Sequence, residues 1–168
     1  IKTLFNPFYE VADNLASCWI ARAEMDDDFL LLNGDTVVES ALLSKVLNSE
    51  FAPITLSVDY KDNYDADDMK VQLDADGWVK QVSKIVPPPQ VNAESIGLIY
   101  FRSQGAYLFR HAVELALRHP AELKSWYLSI IDNLAKQHLV NSCSIKGLRW
   151  CEIDFIEDLA RAGIIFSE

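Results

Sequence analysis

Two aspartates in this sequence stand where chemistry at the edge of an α/β sheet usually takes place. The apolar run Phe29–Leu32 leads into the turn residues Gly34 and Asp35, and much later Asp154 closes the segment that begins at Glu152. Ligands of open α/β sheets collect outside the carboxyl ends of parallel strands, so both carboxylates could converge on one edge. Two such carboxylates can hold Mg²⁺ for phosphoryl or nucleotidyl transfer, which needs no nucleophilic side chain. The alternative is two unrelated helix-capping aspartates.

The elements that must position these aspartates predict an α/β fold with a Rossmann-like, mixed and mostly parallel sheet flanked by helices. Strand-like runs alternate with segments of helical period through the first sixty residues. The run Phe29–Leu32 is predicted to be a parallel strand buried on both faces, followed by a turn at Gly34-Asp35 and then a helix. The other elements predicted here are a strand-like run at 1–5, a helix at 14–24, a helix at 40–47 and a strand at 54–58.

The second half of the chain begins with an antiparallel excursion. Asp74-Ala75-Asp76-Gly77 separates two short strand patterns, and Asp and Gly tolerate the positive φ of a hairpin turn. The acidic residues 65–68 lack the spacing of a calcium loop and are interpreted as a solvated loop. The elements predicted for this half are strands at 69–73, 78–82, 94–101, 140–145 and 148–153, and helices at 104–118, 125–136 and 156–162.

Composition excludes several classes of function. The chain has 168 residues, which is the size of one domain, and we expect residues 1–168 to form a single domain. Its formal net charge of −10 argues against nucleic acid as a partner, because such partners require a basic surface. An acidic protein that binds a small polyanion must use a divalent cation, a helix N-terminus or a few placed lysines.

The cysteines and the hydropathy pattern bear on the compartment. Cys18, Cys143 and Cys151 have no CxxC spacing, and we interpret Cys18 and Cys151 as buried apolar residues. No apolar run approaches the roughly 20 residues that cross a bilayer, so no membrane association is predicted. We therefore expect a cytoplasmic protein in a reducing setting, and the sequence carries no signature of its oligomeric state.

Several segments together resemble a known enzyme family. They are residues 4–9, 14–17, the strand into Gly34-Asp35, Glu152-Ile153-Asp154 and Glu157-Asp158-Leu159. Their ordered combination is similar to the nucleotidyltransferases that activate sugar phosphates or phosphocholine. This group includes the nucleoside-diphosphate-sugar pyrophosphorylases and bacterial CTP:phosphocholine cytidylyltransferase. The resemblance runs from near Leu4 to near Ala162.

The resemblance implies roles for the residues that match. The catalytic positions are Asp35 and Asp154, which correspond to the family's Mg²⁺ ligands, and Lys84, which corresponds to a lysine that meets the substrate phosphate. The positions implied for the nucleoside triphosphate are Asn14, Ser17 and Gly34. The positions implied for the phosphorylated acceptor are Glu94, Trp126, Tyr127 and Glu152.

Each of these residues also has a purely structural interpretation. Asn14 can be a helix cap, and Lys84 an exposed lysine at the end of a strand. Glu94 can face solvent at a strand start, and Glu152 can be an exposed partner in an alternating strand. Aromatic residues at the start of an apolar helix are commonly core, although an aromatic face can also hold a quaternary ammonium group.

The chain departs from the family in one large respect. Members open with a strand and a glycine-rich loop, an arginine and a downstream Pro-Lys, which hold the triphosphate, and this sequence has no glycine cluster. We therefore expect the chain to be the C-terminal part of a longer domain, inactive in isolation.

Three functions remain open from the sequence. The first is Mg²⁺-dependent transfer of a nucleotidyl group to a phosphorylated acceptor, a sugar phosphate or phosphocholine, with release of pyrophosphate. The second is a glycosyltransferase that uses a nucleotide sugar, although such enzymes usually carry Asp-x-Asp. The third is a degenerate, non-catalytic domain that binds a ligand.

Overall fold

A computed structural model describes residues 1–167 of the chain as an α/β fold. The strands are β1 (Phe29–Leu32), β2 (Thr36–Val38), β3 (Ile54–Asp59), β4 (Lys70–Leu73), β5 (Val79–Ser83), β6 (Ala93–Phe101), β7 (Val140–Ser144) and β8 (Trp150–Glu152). The α-helices are α1 (Asn14–Ala21), α2 (Ser40–Leu47), α3 (Gln104–Ala116), α4 (Tyr127–Ala135) and α5 (Ile156–Phe166). None of the described helices is long and apolar enough to cross a membrane.

The main sheet is built around the long strand β6. Its six strands follow the order β5-β4-β6-β3-β7, with β1 also paired to β6. Strands β1, β3 and β4 all run antiparallel to β6, and β7 runs parallel to β3. Four of the six strands (β1, β3, β4 and β7) therefore point in one direction, which confirms the predicted mixed, mostly parallel sheet. Direct parallel hydrogen bonding joins β3 to β7.

Helices cover both faces of this sheet. One core, which includes Leu15, Phe109 and Ile131, lies where α1, α3 and α4 pack on the sheet. A second core on α2 includes Leu42 and Val46, and it packs against residues of β6. Both cores consist of buried apolar side chains, whose burial is the main favourable term in folding. The three cysteines lie buried as free thiols, as predicted for Cys18 and Cys151.

The structure corrects the prediction for Phe29–Leu32. This strand is only half-buried, and Leu32 is 43% exposed. Among the described residues β1 pairs only with β6, in antiparallel register from Phe29 opposite Phe101 to Leu32 opposite Leu98. An edge strand has a neighbouring strand on one side only, so its side chains are less completely covered than those of a central strand. The apolar composition of the run did not reveal this, because composition does not record which edge is paired.

Two further elements differ from the sequence prediction. The run Ile1–Phe5 forms no strand and is exposed, because no described strand lies alongside it. Asp35 does not lead directly into a helix, since the three-residue strand β2 lies between Asp35 and α2. A strand this short has too few residues to show an alternating pattern.

Gly105, in the first turn of α3, lies so close to the backbone at Pro53 that we expect any side chain at this position to lower stability. A Cβ added to Gly105 would lie 1.9 Å from the carbonyl oxygen of Pro53, and that carbonyl accepts a hydrogen bond from the Arg102 amide. Gly105→Ala should therefore destabilise the fold by about 1–3 kcal/mol or more, because backbone must move. Gly163→Ala in α5 is the matched control, because a Cβ there meets nothing within 4 Å and Ala favours helix. Chemical denaturation of both variants tests this, and equal stabilities would contradict it.

Candidate active site

The short ribbon formed by β2 and β8 brings the two predicted metal-binding aspartates to one place. Thr36 pairs with Glu152, and just beyond the pair the backbone amide of Ile153 donates to the Asp35 carbonyl at 2.9 Å. The Gly34-Asp35 turn therefore lies against the segment that ends in Asp154. Residues far apart in sequence become neighbours because these two strands pair.

The turn that carries Asp35 is held by the backbone and by one hydroxyl group. The amide of Asn33 donates to the carbonyl of Gly97 at 2.9 Å. The hydroxyl of the buried Thr36 donates to the carbonyl of Ile96 at 3.3 Å. The Asp35 carboxylate itself is exposed. These contacts fix the position of the turn while its acidic group remains available.

Asp154 is also available, because a different residue caps α5. The Asp158 carboxylate accepts hydrogen bonds from the amides of Asp154 and Phe155, at 3.1 and 3.0 Å. The amide of Phe155 in particular lowers the pKa of Asp158. Asp154's own carboxylate is exposed and has no hydrogen-bond or ion-pair partner among residues 1–167. Asp158 therefore supplies the capping that a simple structural interpretation assigned to Asp154.

Both aspartates line a cleft of about 890 Å³, which we call the main cleft. Eight of the ten residues singled out by the sequence line it: Asn14, Asp35, Lys84, Glu94, Trp126, Tyr127, Glu152 and Asp154. They come from β6, β8, the starts of α1 and α4 and the connections after β1, β5 and β8. The structure therefore brings the predicted catalytic and acceptor positions together.

A second cavity of about 620 Å³ adjoins the main cleft between α1 and β1, and we call it the side cavity. It contains the three positions predicted for the nucleotide: Asn14, Ser17 and Gly34. The two cavities share four lining residues, which are Asn14, Asn33, Asp35 and Tyr127. Asp35 therefore lies where the two cavities meet.

The main cleft is strongly acidic. Seven carboxylates and two lysines line it, and the carboxylates are Asp35, Asp65, Asp67, Asp68, Glu94, Glu152 and Asp154. The crowding is reflected in Glu152: burial, then the charges of Asp35 and Asp154, raise the pKa of its carboxyl group. A bound cation would relieve this repulsion. Among residues 1–167, however, no group of three His, Cys, Asp or Glu side chains is arranged to hold a metal ion.

Glu94 is a buried acidic residue on the floor of the main cleft. It is 2% exposed, and one carboxylate oxygen, Oε2, lies 2.6 Å from the ammonium group of Lys61. The other oxygen, Oε1, has no hydrogen-bond partner among the described residues. Burial raises the pKa of Glu94, although the hydrogen bond from Lys61 opposes the shift. The prediction of a solvent-facing strand start does not hold for Glu94, because β6 is central in the sheet.

Lys84 and Trp126 lie against each other at the mouth of the main cleft. The Lys84 ammonium group is 4.7 Å from the centroid of the Trp126 ring, and 3.9 Å from a carboxylate oxygen of Asp67. The Trp126 indole donates to Asp13 at 2.9 Å. Trp126 is partly exposed, whereas Tyr127 is buried in the core. The core interpretation therefore applies to Tyr127, and Trp126 presents its ring to a cation.

Asn14 and Ser17 make structural contacts as well as lining the side cavity. Asp13, rather than Asn14, caps α1, because its carboxylate accepts the Asn14 amide. The Asn14 side-chain oxygen accepts a hydrogen bond from the Tyr127 amide at 2.9 Å. Ser17 accepts one from Asn6 at 3.0 Å.

Lys70 supports one wall of the main cleft, a structural role that sequence reasoning missed. Its ammonium group is buried and donates to the carbonyls of Asp65, Ala66 at 3.3 Å, Asp68 at 3.5 Å and Lys84 at 3.2 Å. A single buried cation therefore joins the acidic loop to the strand end that carries Lys84. The residues 65–68, interpreted from sequence as a solvated loop, form one wall of the main cleft. No local sequence signal marks a lysine whose partners are all backbone carbonyls.

Asn33 was also missed, although it directly precedes Gly34-Asp35. The Tyr127 hydroxyl donates to the Asn33 side-chain oxygen at 2.7 Å. Burial raises the pKa of Tyr127 well above its ordinary value, so the phenol is protonated and able to donate. The side-chain amide of Asn33 lies over Gly97, where an added Cβ would be 2.5 Å from the Asn33 Nδ2 atom. An Asn-Gly pair before an aspartate is an ordinary turn signal, so the sequence did not indicate the hydrogen bond between Asn33 and Tyr127.

No protein-family model and no curated protein matches the chain. Solved structures do match. The inositol-1-phosphate CTP transferase from T. maritima aligns with a TM-score of 0.74 at 16% identity, over 96% of this chain and 64% of that one. The CTP:phosphocholine cytidylyltransferase from Streptococcus pneumoniae aligns with a TM-score of 0.74 at 16% identity, over 98% and 68%. A structure from Bacillus anthracis described as a glucose-1-phosphate thymidylyltransferase aligns with a TM-score of 0.68 at 11% identity, over 91% and 60%.

These matches show that the chain has the fold of nucleotidyltransferases, which confirms the fold that the resemblance implied. The chain spans less than two thirds of the first of these structures.

The raised pKa of Glu94 predicts a pH dependence of stability. Because folding raises this pKa, the stability that Glu94 contributes is present below its unfolded-state pKa and is lost as pH rises through the folded value. In Glu94→Gln this loss is absent, so the variant should gain stability relative to the wild type as pH rises above about 4. Urea denaturation across that range measures the difference, with the exposed Glu10→Gln as control. A difference that does not vary with pH would contradict the prediction.

Proposed function

We propose that this chain is the acceptor and metal half of a Mg²⁺-dependent nucleotidyltransferase. The observation that carries the proposal is the division of the candidate residues between two adjoining cavities. The positions assigned to the nucleotide line the side cavity, and those assigned to the acceptor line the main cleft. Asp35 belongs to both cavities, as do Asn14 from the first set and Tyr127 from the second. Group transfer between two substrates requires their reacting groups to meet at one point, and the shared wall of the cavities supplies such a point. The nucleotidyltransferase fold supports the same conclusion.

Asp35 at the shared wall and Asp154 in the main cleft form a donor set that suits Mg²⁺. Asp35 and Asp154 offer exposed carboxylate oxygens, and Glu152 lies close enough for both to raise its pKa. Mg²⁺ prefers oxygen ligands and is often held by one or two carboxylates together with water and substrate phosphates, so a third protein ligand is not required. Bound there, the ion would neutralise charge on the phosphoryl group during transfer.

The proposed reaction joins the two substrates directly. An oxygen of the acceptor phosphate attacks the α-phosphorus of the nucleoside triphosphate, the bond to the β-phosphate breaks, and pyrophosphate leaves with that electron pair. Lys84, at the mouth of the main cleft, is placed to hold the acceptor phosphate through its ammonium group. Asn14 and Ser17 approach the nucleoside from α1. The chain's own residues thus bind and orient the substrates, and no covalent intermediate forms.

The charge of the main cleft favours phosphocholine over a sugar phosphate as acceptor. The excess of carboxylates creates a negative potential that attracts a cationic head group, whereas a neutral sugar ring feels no such attraction. The ring of Trp126 already attracts one ammonium group, that of Lys84. If Lys84 turns to the phosphate, the ring is available to a quaternary ammonium group, an attraction worth up to about 2 kcal/mol. The unpartnered oxygen of Glu94 lies in the same cleft.

The two other functions have less support. A nucleotide-sugar glycosyltransferase would use a finished nucleotide sugar, and it would release no pyrophosphate. A non-catalytic domain would have no need to keep two exposed aspartates in the main cleft. Incubation of the complete protein with Mg²⁺, a nucleoside triphosphate and a phosphorylated acceptor, with detection of pyrophosphate, separates the three functions.

Removal of either exposed aspartate of the proposed metal site should abolish turnover. In the complete protein, Asp35→Ala or Asp154→Ala should reduce Mg²⁺-dependent pyrophosphate release roughly 100-fold or more, because charge stabilisation by the ion is worth several kcal/mol. Asp27→Ala, an exposed aspartate outside both cavities, is the control. Circular dichroism should show the same fold in all three variants. Near-normal activity in either cleft variant would refute the metal-binding role.

The acceptor preference is tested by comparing phosphocholine with glucose 1-phosphate. We expect a higher kcat/KM for phosphocholine, and Trp126→Leu should lower it by about 3- to 30-fold with less effect on the sugar phosphate. Trp19→Leu is a matched control, because Trp19 also has a cation over its ring, that of Arg22 at 3.8 Å, but lies outside both cavities. A preference for glucose 1-phosphate would overturn the choice of acceptor and leave the transfer reaction standing.

A further inference from the structure

Asn33 occupies an unusual position at the shared wall of the two cavities. It lines both of them and is two residues from Asp35, and its side chain is neither exposed nor enclosed. The resemblance assigned it no role. Its contacts hold the side chain in one orientation, in which the amide oxygen faces Tyr127 and the amide nitrogen lies over Gly97.

Three contacts hold the Asn33 side chain. Its own backbone amide is tied to the Gly97 carbonyl at 2.9 Å, which fixes where the side chain starts. The Tyr127 hydroxyl donates to its oxygen, Oδ1, at 2.7 Å, which sets the rotation of the amide group. Gly97 lies beneath the amide and has no Cβ that would push it away. The Tyr127 side chain is 3% exposed, so this partner is itself fixed by the core.

This arrangement leaves the amide nitrogen, Nδ2, without an acceptor among residues 1–167. The nitrogen carries two N–H groups and can only donate. It lies over Gly97, which is part of the floor of the main cleft. A fixed donor with no acceptor in the protein, beside exposed carboxylates that cannot donate, is suited to an incoming anion.

We propose that the Asn33 side-chain amide donates a hydrogen bond to the phosphate group that is transferred, and that Tyr127 is the positioning residue that orients it. The proposal rests on the nucleotidyl transfer proposed above. A neutral donor is well suited to this place, because a lysine beside Asp35 would form an ion pair with that carboxylate and be withdrawn from the substrate. The amide keeps its donor groups for a phosphoryl oxygen and requires no reorganisation during the reaction.

Asn33→Asp is the central test, in the complete protein with CTP, Mg²⁺ and phosphocholine or glucose 1-phosphate. The change preserves size and the acceptor for the Tyr127 hydroxyl, but it replaces the donor with a second carboxylate oxygen. We expect kcat to fall roughly 10- to 100-fold, as for loss of a hydrogen bond to a charged group, with little change in the KM of the acceptor. Asn133→Asp, on the exposed side of α4, is the matched control and should leave kcat unchanged.

Tyr127→Phe tests the positioning role through a double-variant cycle. Alone it should lower kcat by a smaller factor than Asn33→Asp, because the amide is still present but free to rotate. Added to Asn33→Ala it should have little further effect, because Tyr127 acts through Asn33. Independent, multiplying effects of the two substitutions would overturn the positioning role.

The outcomes separate this inference from the function on which it rests. If the wild type releases pyrophosphate and Asn33→Asp does so at the same rate with the same thermal stability, the inference is wrong and the proposed function stands. If the wild type transfers no nucleotide to any phosphorylated acceptor, both are wrong. A fall in kcat with unchanged thermal midpoint supports the inference. A lower thermal midpoint, together with a lower kcat and a higher KM for every substrate, indicates a structural role and overturns it.

Discussion

The pairing of two three-residue strands is the interaction on which the candidate site depends. Strands β2 and β8 pair with Thr36 opposite Glu152, and one further hydrogen bond runs from the Ile153 amide to the Asp35 carbonyl. Without this ribbon the two aspartates would lie on independent loops. The pairing also concentrates negative charge, and the raised pKa of Glu152 is the direct sign of that repulsion. The fold holds these carboxylates close together, and a bound cation would relieve the electrostatic repulsion between them.

Three lysines balance this charge in different ways. Lys61 pairs with Glu94 and with Asp68, at 2.6 and 3.1 Å. Partial burial would lower the pKa of Lys61, but these two carboxylates outweigh that effect and raise it. Lys70 is buried and held by backbone carbonyls, so its charge supports the shape of the acidic loop. Lys84 has only a long contact to Asp67 and an aromatic ring, which leaves it the most available of the three for a phosphate.

Much of the fold could be predicted from local patterns, because helical period, strand alternation and turn residues are properties of neighbouring residues. The helix that begins at Asn14, the hairpin around Asp74 and Gly77, and the long strand β6 all appear as the sequence predicts. The exceptions have a common cause. Each exception depends on which strand lies alongside, and the local pattern does not contain that information. This applies to the single paired edge of β1, to the absence of a strand at residues 1–5 and to the existence of β2.

For the site, the sequence by itself determined the chemical types: two aspartates after strands, one lysine, and several aromatic and acidic residues. Only the tertiary structure decided that these residues form two cavities meeting at Asp35, and that Glu94 is buried. It also decided that Asn33 lines both cavities, with its side chain bound by a tyrosine hydroxyl, and that Lys70 supports a wall of the main cleft through backbone carbonyls. Residue type follows from the sequence alone, but a side chain's partners come from distant segments, and only the folded chain brings those segments within hydrogen-bonding distance.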